Sequence, residues 1–205
     1  MVDYRETSTM ISDFVLALVS YVAGTYRMNK LREYSWRHAT LSWFAMFGFS
    51  FIGFAAIVGF VRFGYFFPKR QYLVKGWHQY FTDLASVIGL PMLAAAYSQR
   101  TEWQNLCWFF FVLSILSTLL HCISLLRMPV RDFCACLAIL FIIISSLFME
   151  FQSQLNIYGL AGCGCVILSV LVNDQGRGIQ GFKNVDLFHY IMAVGICFLA
   201  EGLLS

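Results

Sequence analysis

Charge is scarce in this chain. Asp, Glu, Lys and Arg make up 12% of its 205 residues, against the ~25% of an ordinary soluble domain. Fourteen basic and eleven acidic side chains, gathered in short clusters, cannot furnish the polar shell that a soluble fold of this length needs. The expected solvent is therefore a lipid bilayer. There is no long basic tail, and the formal net charge is only +3, which removes support for nucleic-acid binding. No Asn-x-Ser/Thr acceptor occurs, so glycosylation marks no loop as external. The chain also lacks cysteines in polar surroundings. All seven, Cys107, Cys122, Cys134, Cys136, Cys163, Cys165 and Cys197, lie in apolar runs and read as small hydrophobes rather than a disulfide framework.

What is abundant is apolar sequence, 60% of the chain. Crossing ~30 Å of hydrocarbon takes about 20 residues, and seven runs qualify, near 9–27, 41–66, 80–98, 106–126, 132–150, 155–173 and 185–204. The third is the weakest, since Asp83 and Pro91 interrupt it, although a Pro is tolerated in a membrane helix as a kink. The first nine residues carry both charge signs, unlike the positive start of a cleaved secretory signal, so the first run is expected to remain as a span. The linkers, such as "PKRQYLVKGWHQ" and "NDQGRGIQGFKN", are too short to hold a separate domain. The expected fold is all-α: one transmembrane domain over residues 1–205, a polytopic bundle of seven helices with no repeat that would suggest an inverted-repeat transporter.

Seven spans put the two ends of the chain on opposite faces. Eight Lys and Arg fall on the N-terminal side and five on the other, which predicts a cytoplasmic N-terminus and a lumenal or extracellular C-terminus in the endoplasmic reticulum or plasma membrane. The dense first loop, with Arg27, Lys30, Arg32 and Arg37, opposes that orientation.

Ionisable groups inside spans are costly unless they pair or face water. Because odd and even spans run in opposite directions, Asp13, Arg62, Asp83, His121, Asp186 and His189 all fall in the same half of the bilayer. One reading places them at the interface, snorkelling or capping helix ends, a role that suits Asp186 at the start of the last span. The other brings Asp13, Arg62, Asp83, Asp186 and His189 together around one polar cavity, with Arg62 as counter-charge to Asp13 or Asp83. His189 follows Asp186 by three residues and shares its helix face. A metal pair would want a second imidazole four residues away, where the chain has Ala193 and Val185, so no metal ligand set is expected.

Other patterns carry less. "GRGIQG" at 176–181 spells G-x-G-x-x-G but sits between two spans with no preceding strand, which argues against dinucleotide binding. "CAC" at 134–136 and "CGC" at 163–165 place their sulfurs on different helix faces, unsuited to joint ligation. "GLAGCGC" and Gly48, Gly53 and Gly59 read as small-residue faces for close helix approach. Trp36, Trp43, Trp77, Trp103 and Trp108 fit interfacial belts.

"ISDFVLALV" in span 1, "GFAAIVGFVRFG" ending span 2, the Asp83 segment and "NVDLFHYIMAVG" opening span 7 resemble a diffuse group of uncharacterised seven-span proteins. More distantly, the layout is similar to the CREST superfamily, which includes alkaline ceramidases and the progestin and adiponectin receptors. That resemblance implies a zinc site with Asp83 as its acid and His189 as one imidazole, helped by His121, and a metal-dependent lipid amidase or esterase activity. The carried-over set is incomplete, with Arg62 and Phe63 where the superfamily has a span-2 His, and Ala193 where it has its second span-7 His. The leading expectation is instead a non-catalytic accessory or scaffolding subunit of a membrane complex, without cofactor, in contact with lipid and with other membrane proteins, with lipid handling or transfer as its setting. A receptor or carrier that binds an anionic lipid head group at Arg62 is the third possibility.

Overall fold

The computed structural model describes residues 6–27, 29, 36–101, 103–123, 127–147, 155–174 and 183–205. Glu150, Arg5, Lys30, Arg32, Arg177 and the Gly176–Gly181 stretch lie outside them. The described residues are helical throughout their ordered elements, with no strand among them. The helices are α1 (Thr7–Tyr21), α2 (Trp36–Phe63), α3 (Gln71–Leu84), α4 (Leu90–Arg100), α5 (Gln104–His121), α6 (Arg127–Leu147), α7 (Ile157–Asp174) and α8 (Asn184–Leu204). Among the described residues, six stretches are long and apolar enough to cross a membrane: Thr7–Thr25, Thr40–Phe63, Pro68–Arg100, Gln104–His121, Met128–Leu147 and Asn184–Leu204. The apolar part of α7, Ile157–Asn173, is shorter. This is the architecture of a multi-pass integral membrane protein.

The third span differs from the sequence expectation. Residues 68–79 read as a loop because of their charges, yet Pro68–Arg70 form a 3₁₀ turn and Gln71 begins α3, so the rod runs over Pro68–Arg100 rather than 80–98. Its first turns are amphipathic. Val74 and His78 turn towards the bundle, while Lys69, Arg70 and Lys75 stay exposed beside exposed Tyr72, Leu73 and Trp77. Pro91 does not break the rod, because the wider π-helical turn Ala85–Gly89 precedes it and Pro91 falls at the start of α4, where its missing N–H is harmless.

That rod is the most enclosed of the six, with 72% of its apolar window buried against 28% for α5, so it forms the centre while α5 lies at the rim. Leu93, Ala94, Ala95, Ala96 and Tyr97 of α4 are sealed in the core, where α4 packs against α2, α5, α6 and α8. Phe49 of α2, Phe110 of α5, Ile142 of α6 and Ile196 of α8 meet them there. Where association in lipid gains little from the hydrophobic effect, close packing does the work. The small-residue faces supply it. A Cβ on Gly48 would lie 2.7 Å from Leu93 Cγ, and one on Gly162 would lie 2.9 Å from the backbone N of Leu199.

α1 and α8 run parallel, since Glu6 and Lys183 pair at their starts (2.9 Å) and Ser12 reaches His189 one to two turns on (3.0 Å). α7 runs antiparallel to α8, with Gly159 beside Gly202 and Gly162 beside Leu199. At the far end, α8 would leave its last carbonyls without partners. Asn156 Nδ2 donates to Gly202 O (2.8 Å) and Arg100 Nη1 to Leu203 O (2.7 Å), while Tyr97 Oη donates to Leu199 O (3.0 Å). Three side chains, two from α4 and one from the segment before α7, thus hold the end of α8 in place.

Candidate functional site

The ionisable residues gather at the end of the bundle where α1 and α8 begin, in two sets that share α3. The first joins α1, α2, α3 and α8. Asp13 is completely buried against α2 at Gly59, where a Cβ would press on the Asp13 carboxylate (2.6 Å). Only glycine lets the acid sit there. His189 Nε2 comes within 3.3 Å of Asp13 Oδ1. That is ion-pair range but not hydrogen-bond alignment, and neither Asp13 oxygen has a hydrogen-bond partner among the described residues. Ser12 Oγ lies 3.0 Å from His189 Nδ1 and donates to the Thr9 carbonyl (2.9 Å).

Arg62 is half-buried at the end of α2, with its guanidinium 4.6 Å from the Phe63 ring centroid. Its Nη1 donates to His78 Nδ1 (2.9 Å). A guanidinium has no acceptor, so Nδ1 must offer a lone pair, and His78 is the neutral Nε2–H tautomer. Gln71 Nε2 donates to the Arg62 carbonyl (2.8 Å), which fixes α3 over the end of α2.

The second set joins α3, α5 and α6. Asp83 is fully enclosed and takes three neighbours: Gln79 Nε2 donates to Oδ1 (3.1 Å), Arg131 Nη1 lies 3.4 Å from Oδ1, and His121 Nε2 lies 3.5 Å from Oδ2. Arg131 also holds exposed Asp132 (2.8 Å).

Asp13 and His189 therefore come together across α1 and α8, and Asp83 meets His121 and Arg131 across α3, α5 and α6. Arg62 makes its described side-chain hydrogen bond to His78, and Arg131 is a cation that Asp83 meets. Asp186 lies buried in the first turn of α8, where an acid suits the helix dipole, but no side-chain hydrogen bond caps that helix and Asp186 Oδ1 has no hydrogen-bond partner among the described residues. The hydrogen-bonding cap expected there is absent.

A family model described as "Family of unknown function (DUF6962)" matches residues 8–205. The chain belongs to that family. No curated protein and no solved structure matches it. The match runs through every element that builds both polar sets, from Ser12 on α1 to His189 on α8.

The donor chemistry does not fit a zinc centre of the CREST type. Among the described residues no group of three or more His, Cys, Asp or Glu side chains could hold a metal ion, and catalytic zinc takes about three protein ligands. Ala193 occupies the place of the second imidazole on α8 and is itself buried. The cysteines add nothing, being free and spread over four helices. Nor does Ser12–His189–Asp13 make an accessible nucleophile, because Ser12 is completely buried. One cavity of about 250 Å³ between α1 and α8 lies deeper, lined by Leu18, Val22, Cys197, Ala200 and Glu201.

Sequence reasoning missed Ser12, His78 and Arg131. A serine beside Asp13 carries no signal of its own, His78 was assigned to a loop, and Arg131 was counted as a loop charge. The spacing of Arg131 from the end of α5 offered the only hint that it could turn inward to Asp83.

Proposed function

We propose that the chain is a seven-span, non-catalytic integral membrane protein that works as an accessory or scaffolding subunit of a membrane complex. The observation that carries this reading is where its buried ionisable groups are used. Asp13, Asp83, His121 and His189 each meet side chains of neighbouring helices, and none of them lines the described cavity. They tie helices together.

Seven crossings are supported by direction. α1 and α8 are parallel, so the chain needs an odd number of passes, and α7 runs back along α8 to provide the last return. The Lys and Arg balance supports a reading with the Thr7 end in the cytoplasm and the Leu204 end in the lumen or outside, in the endoplasmic reticulum or plasma membrane. The face offered to a partner is the rim helix α5, where exposed Trp108, Val112, Ile115, Leu116 and Leu119 form an apolar stripe. A photo-crosslinking residue at Leu116 or Trp108 is expected to give a discrete protein adduct in native membranes. Lipid adducts alone at both positions would sink the proposal.

A further inference from the structure

The hydrogen bonds of Ser12 fix where protons must be in the first polar set. A hydroxyl has one proton to give. With Ser12 Oγ donating to the Thr9 carbonyl at 2.9 Å, its 3.0 Å contact with His189 Nδ1 can be a hydrogen bond only if Nδ1 carries the proton and Ser12 accepts it. His189 Nε2 then faces Asp13 Oδ1 at 3.3 Å. Two bare lone pairs would repel at that distance, so one proton lies on Nε2 or on the carboxyl. Either way the pair Asp13–His189 is neutral overall, which suits a buried place among the helices.

A second arrangement uses the same atoms. If the Ser12 hydroxyl turns from Thr9 to Nδ1, the imidazole takes the Nε2–H tautomer and turns that proton towards an ionised Asp13 at ion-pair distance. That state holds one proton fewer. No other atom is gained or lost: uptake of one proton from water neutralises the pair, the imidazole proton moves from Nε2 to Nδ1, and the hydroxyl swings back to Thr9.

The surrounding charges bear on which state is held. Facing the pair are Asp186 from α8, Arg62 from α2 and His78 from α3, with Glu6 and Lys183 paired with each other at the mouth. His78 is neutral, as its bond from Arg62 requires. An ionised Asp13 adds one negative charge to the cluster, and a single bound proton removes it.

We propose that Ser12, His189 and Asp13 form a buried proton-binding site that takes up and releases one proton as a unit between α1 and α8. The ligand is the proton itself, and the device couples protonation to the contact between the first and last helices. It goes beyond the accessory role and does not depend on it. In nanodiscs, infrared difference spectra over about pH 4 to 9 are expected to show coupled carboxyl and imidazole bands in the native protein. Both bands should vanish together in Asp13→Asn and in His189→Gln. Retention of the full carboxyl band in His189→Gln, or of the full imidazole band in Asp13→Asn, would overturn the site. Imidazole ¹⁵N spectra of the native protein give a test that needs no variant. Of its four histidines, one should switch from the Nε2–H to the Nδ1–H tautomer as pH falls. Four tautomers unchanged by pH would contradict the proposal.

Discussion

Gly202→Ala is expected to cost the bundle about 3 kcal/mol, the sum of over-packing at ~1–3 kcal/mol and a weakened buried hydrogen bond at ~1 kcal/mol. A Cβ at this position would meet the Tyr97 hydroxyl and lie 2.7 Å from the backbone N of Gly159. The first obstacle is a side chain, but it is itself fixed, because Tyr97 is 1% exposed and its Oη donates to Leu199 O. The second is backbone, which moves only if α7 moves. Forcing the two helices apart also stretches Asn156 Nδ2 from Gly202 O, now 2.8 Å away. Gly164→Ala is the matched control. It lies on the same helix as Gly159, nothing stands within 4 Å of its added methyl, and a change within about 0.5 kcal/mol is expected. Unfolding titrations in mixed micelles compare the two. Equal stabilities would show that α7 and α8 are not held at glycine distance.

Asp83→Ala is expected to destabilise the protein by about 3 kcal/mol, the lower end of the range for breaking a buried ion pair. The carboxylate is enclosed, and so is His121, which would lose its partner, while Arg131 is partly exposed and can turn to water or to Asp132. Asp83→Asn should cost less than half as much, because an amide oxygen still accepts from Gln79 and Arg131. The same micelle titration separates them. If Ala and Asn cost the same, the hydrogen-bonded oxygen is not what matters at this position. Gly202 and Asp83 lie at opposite ends of the bundle, so their losses should add in the double variant.

Much of this was legible in the sequence because the bilayer imposes a coarse rule: apolar runs of sufficient length become helices. That rule located α1, α2, α5, α6 and α8, and it flagged the shared depth of Asp13, Asp83, His121, Asp186 and His189. It failed at residues 68–79, where Lys69, Arg70 and Lys75 lowered the apolar content although Tyr72, Leu73, Trp77 and Phe81 still wrapped a helix. Pairing was beyond its reach. Helix direction says how deep a residue lies, but which neighbour it meets depends on rotation about each helix axis. Gly59 sets that rotation for Asp13, and Gln71 pins α3 so that His78 faces Arg62. The division of the acids into one set around His189 and another around His121 follows from such contacts and from no local motif.

Native mass spectrometry of the protein released from mild detergent bears most directly on the central claim, that the buried ionisable groups join helices in a non-catalytic subunit. The account predicts the chain in a fixed stoichiometry with a second polypeptide and without stoichiometric zinc. A lone chain carrying one zinc ion, lost on His189→Ala, would contradict it.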